Sequence, residues 1–146
     1  MQFIRGTGTA VRTATLLLAL LVCAPAQAWT LKVLHRFTGG SDGADPNVDL
    51  VRDKTTGDLY GVTSGGGDNG KGVVFKFAPD GTETILYAFR GAENGDGPAS
   101  LIRDDAGNLY GTTWVGGDLG CDYFRGGCGV VFKLAPDGTY TVLHTF

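Results

Sequence analysis

Sustained helical periodicity is missing from this sequence beyond its first residues, and so is any long hydrophobic run. The most apolar stretch, Thr13 to Ala24, is about a dozen residues, whereas a bilayer-spanning helix needs about twenty. No membrane span is therefore expected. Basic charge is also short: 12 Lys and Arg against 15 Asp and Glu give a formal net charge of -3. That balance argues against nucleic acid as a partner. Histidine occurs only twice, at His35 and His144, and cysteine three times, at Cys23, Cys121 and Cys128. With so few candidate ligands in view, neither a metal nor any other cofactor is expected.

Glycine, by contrast, is plentiful, with 25 of 146 residues. Such a content approaches that of low-complexity chains. Here the glycines recur at regular places between apolar segments, which points to folded repeats. The beginning of the chain reads differently. Met1 to Arg12 carries Arg5 and Arg12 and no acid; the apolar run follows, and Ala26-Gln27-Ala28 ends it with small residues. Those three features describe a secretory signal peptide over residues 1–28, with cleavage between Ala28 and Trp29. A lipid-anchored Cys23 is the rival reading. It is disfavoured because Val22 stands where a small residue is wanted. Loss of Arg5 and Arg12 would take the net charge from -3 to -5.

Comparing the chain with itself is the most informative step. Gly72 to Phe89 reads GVVFKFAPDGTETILYAF and Gly129 to Phe146 reads GVVFKLAPDGTYTVLHTF, identical at 13 of 18 positions. LYGVTSGGGD from Leu59 matches LYGTTWVGGD from Leu109 at 7 of 10. The copies are 50 residues apart at Leu59/Leu109 and 57 at Phe75/Phe132, so the second carries an insertion around Cys121 to Gly127. A partial copy, LKVLHRF from Leu31 to Phe37, precedes them. The expected organisation is a partial repeat over 29–58, a first repeat core over 59–108 and a second over 109–146.

Each copy reads as four short strands rich in β-branched and aromatic residues. In the second copy these fall at Ala99 to Arg103, Leu109 to Trp114, Gly129 to Leu134 and Thr139 to Phe146. Pro79-Asp80-Gly81 and Pro136-Asp137-Gly138 supply hairpin turns. Connections this short make sequential neighbours antiparallel. The expected fold class is all-β: tandem four-stranded antiparallel meanders, β-propeller-like blades forming an incomplete ring. A two-sheet β-sandwich is the alternative.

Leu-Tyr-Gly-Thr-Thr, Gly-Val-Val-Phe-Lys-Leu-Ala-Pro-Asp-Gly and Val-Leu-His-Thr-Phe together resemble the GloVer-type tandem repeat of secreted bacterial proteins. The resemblance covers essentially all of the chain after the leader. It implies a surface or extracellular repeat protein of propeller-like type, and brings no catalytic residues with it.

The candidate chemistry is sparse. His35 and His144 hold the repeat position occupied by Tyr87 in the middle copy, which reads as an amphipathic packing site. The sequence shows no convergent partners for either as a base or a ligand. Lys76/Lys133, Asp80/Asp137 and Arg52-Asp53/Arg103-Asp104 recur in register, and repeated charges are better explained by turns and edge ion pairs than by catalysis. Asp104-Asp105 cannot flank a glycoside, since neighbours on a strand point to opposite faces. Asp45, Asn47 and Asp49 are spaced like the start of a calcium loop but lack its glycine and its final Glu. No catalytic residue is assigned.

Cys121 and Cys128 bracket the insertion and are expected to form a disulfide, as persists in secreted chains. Between them Asp122, Tyr123, Phe124 and Arg125 set aromatics beside charges, and Trp114 stands where the first copy has Ser64. These five are the candidate ligand-binding residues, for a glycan or a protein ligand. The function expected is an extracellular binding or structural module. A carbohydrate-active hydrolase or lyase on a propeller scaffold, or an inactive fragment of a longer repeat protein, are the alternatives. Two blades leave faces uncovered, so a homo-oligomer is a possible partner state.

Overall fold

The computed structural model describes residues 30–118, 120–121 and 126–146. The leader, Cys23 and the cleavage point lie outside the described residues, as do Asp122, Tyr123, Phe124 and Arg125. The compact unit is Val33–Phe146. No helix among the described residues is long and apolar enough to cross a membrane.

Eight strands make two four-stranded antiparallel sheets, each in the simple order of the chain. The first sheet holds β1 (Val51–Arg52), β2 (Leu59–Thr63), β3 (Val73–Phe77) and β4 (Glu83–Ala88). The second holds β5 (Asp96–Arg103), β6 (Leu109–Val115), β7 (Val130–Leu134) and β8 (Tyr140–Thr145). A single 3-10 turn, Ala92–Asn94, joins them. The sheets are the tandem meanders expected from the repeat, and the fold is all-β with open, blade-like sheets.

The internal register of the two copies is the same. Tyr60 pairs with Lys76 and Tyr110 with Lys133; Gly61 pairs with Phe75 and Gly111 with Phe132. Each third strand has a bulge at the same place, Val74/Phe75 and Val131/Phe132. The Leu-Tyr-Gly motif has a steric cause. A Cβ on Gly61 would stand 2.5 Å from the tip of the Phe75 ring, and one on Gly111 2.5 Å from that of Phe132. Glycine lets each ring lie across the neighbouring strand.

The turns work as their residues dictate. Asp80 Oδ1 accepts from Thr82 N at 2.9 Å, and Asp137 Oδ1 from Thr139 N at 2.9 Å. Gly81 and Gly138 close these turns at φ of 94° and 86°, a region that L side chains rarely enter. The buried hydroxyls are satisfied as well. Thr63 donates to Gly65 O and accepts from Val73 N; Thr113 donates to Val115 O and accepts from Val130 N.

The core lies between the sheets. Val62, Val74, Phe89, Leu101, Leu109, Val130, Phe132 and Leu134 are buried together. Phe89, just past β4, reaches the second sheet and meets Phe132 with ring centroids 5.3 Å apart. Lys71 pairs with Asp96 at 2.6 Å and Arg103 with Asp53 at 2.9 Å, so ion pairs also join the copies.

The first copy departs from the second at its outer strand. β1 has two residues where β5 has eight. An isolated bridge, Ala44 to Gly65, resumes the pairing beyond a break that begins at Asp45, whose φ is 56°. The partial copy Leu31 to Phe37, expected as a lone strand, is not β-strand and pairs with no strand among the described residues. A last blade strand takes its own third strand as hydrogen-bond partner, and the described residues before this segment supply no strand. Its side chains nonetheless keep the repeat's packing: Phe37 sits 5.2 Å from Phe75, as Phe89 sits against Phe132.

Candidate functional sites

Trp114 lies one residue from the end of β6 and is 63% exposed, an unusual state for so large an apolar ring. Gly97 is beside it: a Cβ there would stand 3.5 Å from Trp114 Cδ1 and 3.7 Å from Ser64 O. The indole therefore stands at the boundary between copies, next to the residue it replaces in the repeat.

The loop that carries the insertion leaves β6 directly after Trp114 and Val115, on a base of backbone hydrogen bonds. Gly116 N donates to Gly126 O at 2.6 Å, Gly129 N to Gly116 O at 2.9 Å and Gly117 N to Ala92 O at 2.9 Å. Cys121 N donates to Asp118 O, and Asp118 Oδ1 accepts from Gly120 N. Cys121 and Cys128 stand at disulfide distance, with Cα atoms 5.8 Å apart. Of the five residues singled out for binding, Trp114 is thus at the foot of the loop. The other four, Asp122 to Arg125, are outside the described residues.

A second constellation was not visible from the sequence. His35 Nε2 lies 3.5 Å from Asp42 Oδ2 and 3.5 Å from Glu83 Oε2. One ligand atom from each residue falls within 4.8 Å of the other two. Glu83 is the first residue of β4, His35 comes from the segment crossing that sheet, and Asp42 from the turn after it. The imidazole is wedged between aromatic rings, 4.7 Å from Phe37 and 5.3 Å from Phe77. Asp42 is held from behind: Thr38 Oγ1 donates to Oδ1 at 2.6 Å and Thr38 N to Oδ2 at 2.7 Å. The Thr38 hydroxyl, followed by its backbone N–H, draws the Asp42 carboxyl below the usual carboxylate range. Burial pushes the Glu83 carboxyl above it.

At the equivalent positions of the next copy stand Tyr87, Asn94 and Tyr140. The two tyrosine rings stack at 4.1 Å, with planes 3° apart, and Tyr140 Oη donates to Asn94 O at 2.7 Å. Tyr87 is thus the packing residue the repeat suggested. His144 meets Phe146 edge-on at 4.8 Å.

The recurring charges are engaged in structure. Asp104 accepts from Asn108 N, Asn108 Nδ2 and Tyr110 Oη, and Lys76 lies 3.9 Å from Asp58. Among the described residues Asp45 and Asp49 belong to no group of three acid, histidine or cysteine side chains within metal reach.

No curated protein matches this chain. Among solved structures, the chain is similar to that of a protein provisionally named a gluconolactonase, at 20% identity and a TM-score of 0.44. The likeness covers 66% of this chain and 33% of that one, so the chain spans about a third of its neighbour's length. At that score it carries no argument. The family model for the Gloeobacter/Verrucomicrobia repeat matches residues 20–146, nearly the whole sequence and every strand described above. The chain belongs to the Gloeobacter/Verrucomicrobia repeat family.

Proposed function

We propose that this chain is a secreted repeat module that binds an extracellular ligand, a glycan or a cell-surface protein, at the loop end of its second sheet. The observation that carries the reading is Trp114, a solvent-facing indole at the one place where the second copy departs from the first by a long insertion. A large aromatic ring on a rigid strand, beside a braced loop, is a favoured anchor for recognition because it contributes contact area at little entropic cost. The leader-like pattern of residues 1–28 and the cysteine pair at disulfide distance support secretion. The rest of the sheet framework serves to hold that end still.

Glycan-array binding and pull-down with Trp114→Ala and Tyr123→Ala test this. Both variants are expected to lose most of the binding of the parent while keeping its circular dichroism. Unchanged binding in both would overturn the assignment of this surface.

A further inference from the structure

The three side chains His35, Asp42 and Glu83 carry more than packing. We propose that they form a binding site for one divalent transition ion of the zinc class, which staples residues 33–42 to the first sheet.

The spacing is that of ligands around such an ion. With metal–ligand bonds of about 2.0–2.2 Å, tetrahedral ligand atoms lie about 3.4 Å apart. The two distances from His35 Nε2 are each 3.5 Å. They are too long for well-formed hydrogen bonds. His35 Nε2 and Glu83 Oε1 are buried atoms without a hydrogen-bond partner among the described residues. A buried polar atom left bare is costly, and the bare His35 Nε2 faces one oxygen of each carboxylate at 3.5 Å, room for a shared partner.

Charge leads to the same place. Two acidic side chains meet one ring, and among the described residues no Lys or Arg lies within ion-pair distance of either. A cation offsets that charge. Its identity follows from the donor set: imidazole beside two carboxylates suits borderline divalent ions such as zinc rather than calcium or magnesium. Thr38, which fixes Asp42 through both oxygens, plays the part of the outer hydrogen bonds that orient a ligating carboxylate.

The repeat supplies an independent comparison. Blade packing at this interface does not need these residues, because the next copy fills the same three positions with Tyr87, Asn94 and Tyr140. The ligand set is specific to the first interface. That interface is also the one whose covering segment lacks strand pairing, so an ion there would tie down backbone that no β-ladder holds.

The test uses the full chain without a polyhistidine tag, stripped of metal, then titrated with zinc and, as a coloured reporter, cobalt. One equivalent should bind per chain, with a rise in melting temperature on zinc addition. Binding should weaken on acidification, because protons compete with a metal ion for imidazole and carboxylate ligands. The double variant His35→Tyr with Glu83→Tyr copies the next interface and is expected to fold yet bind no ion. Asp42→Asn should weaken binding at least tenfold. Failure of the parent chain to bind one equivalent, or equal binding by the double variant, would overturn the proposal.

Discussion

Arg103 Nη2 of the second sheet lies 2.9 Å from Asp53 Oδ2 of the first, so one copy neutralises a buried carboxylate of the other. The repeat-equivalent Arg52 is exposed and spans no such gap. Asp53 is further held through Oδ1 by Thr55 N at 2.7 Å and Thr56 N at 3.3 Å. The guanidinium also lies over the Tyr60 ring, 5.4 Å from its centroid.

Arg103→Ala is therefore expected to lower the melting temperature clearly more than Arg52→Ala. The backbone N–H of Thr55 is the main cause that holds the Asp53 carboxyl below its usual range, with Arg103 adding to it. A carboxyl depressed in the folded state stabilises the fold above its unfolded value, and that stabilisation is lost as pH falls through the folded one. The gap between parent and Arg103→Ala should thus narrow below about pH 4. Melting curves at neutral and acid pH check it; equal loss from both arginine variants would refute the cross-copy role.

Much of this fold is legible in the sequence because the two copies carry the same local instructions. The strands expected at Ala99 to Arg103 and Leu109 to Trp114 lie within β5 and β6, and the Pro-Asp-Gly turns follow directly from their residues. The reach of Arg103 to Asp53 was not legible, since recurrence in register suggests the same role in both copies. The His35 constellation was hidden for a related reason. Its partners come from a turn and from the start of another strand. The available signal was that the aligned positions are ionisable in the first copy and are Tyr and Asn in the second.

The glycines of the Leu-Tyr-Gly motifs should differ in their tolerance of a methyl group. At Gly61 the nearest atoms to an added Cβ are side-chain carbons, of Phe75 at 2.5 Å and Leu50 at 2.7 Å. At Gly111 the added group would also meet the backbone oxygen of Ser100, which has less freedom to move. Overpacking of this kind costs about 1–3 kcal/mol. Gly111→Ala is expected near the top of that range and Gly61→Ala near the bottom, as denaturant titration can show. The reverse order would mean that the second sheet gives way more easily than the first.

Cys121 and Cys128 are expected to be bonded to each other in material exported to an oxidising compartment. Closing a loop of about eight residues stabilises by about 2.5 kcal/mol on the chain-entropy model. Mass spectrometry of the non-reduced protein should give a mass lower by two hydrogens than the reduced chain, and Cys121→Ser with Cys128→Ser should melt earlier. Two free thiols in the exported protein would exclude the bond.

The last prediction concerns the aromatic that ends each repeat. Phe37 lies against Phe75 and Phe89 against Phe132, where Phe89 is fully buried. Phe146, at the same repeat position, is 56% exposed. The next sheet that would receive this ring in the repeat pattern is not supplied by the described residues. Burying a phenylalanine fully is worth about 1.5–3 kcal/mol relative to leaving it in water. Exposed apolar surface that the repeat pattern would otherwise bury favours association. The isolated chain is therefore expected to self-associate or to melt at low temperature, and Phe146→Ser should shift light scattering towards monomer without unfolding either sheet. A stable monomer with a cooperative high-temperature transition, unchanged by Phe146→Ser, would show that two sheets suffice and that the exposed ring has no role in assembly.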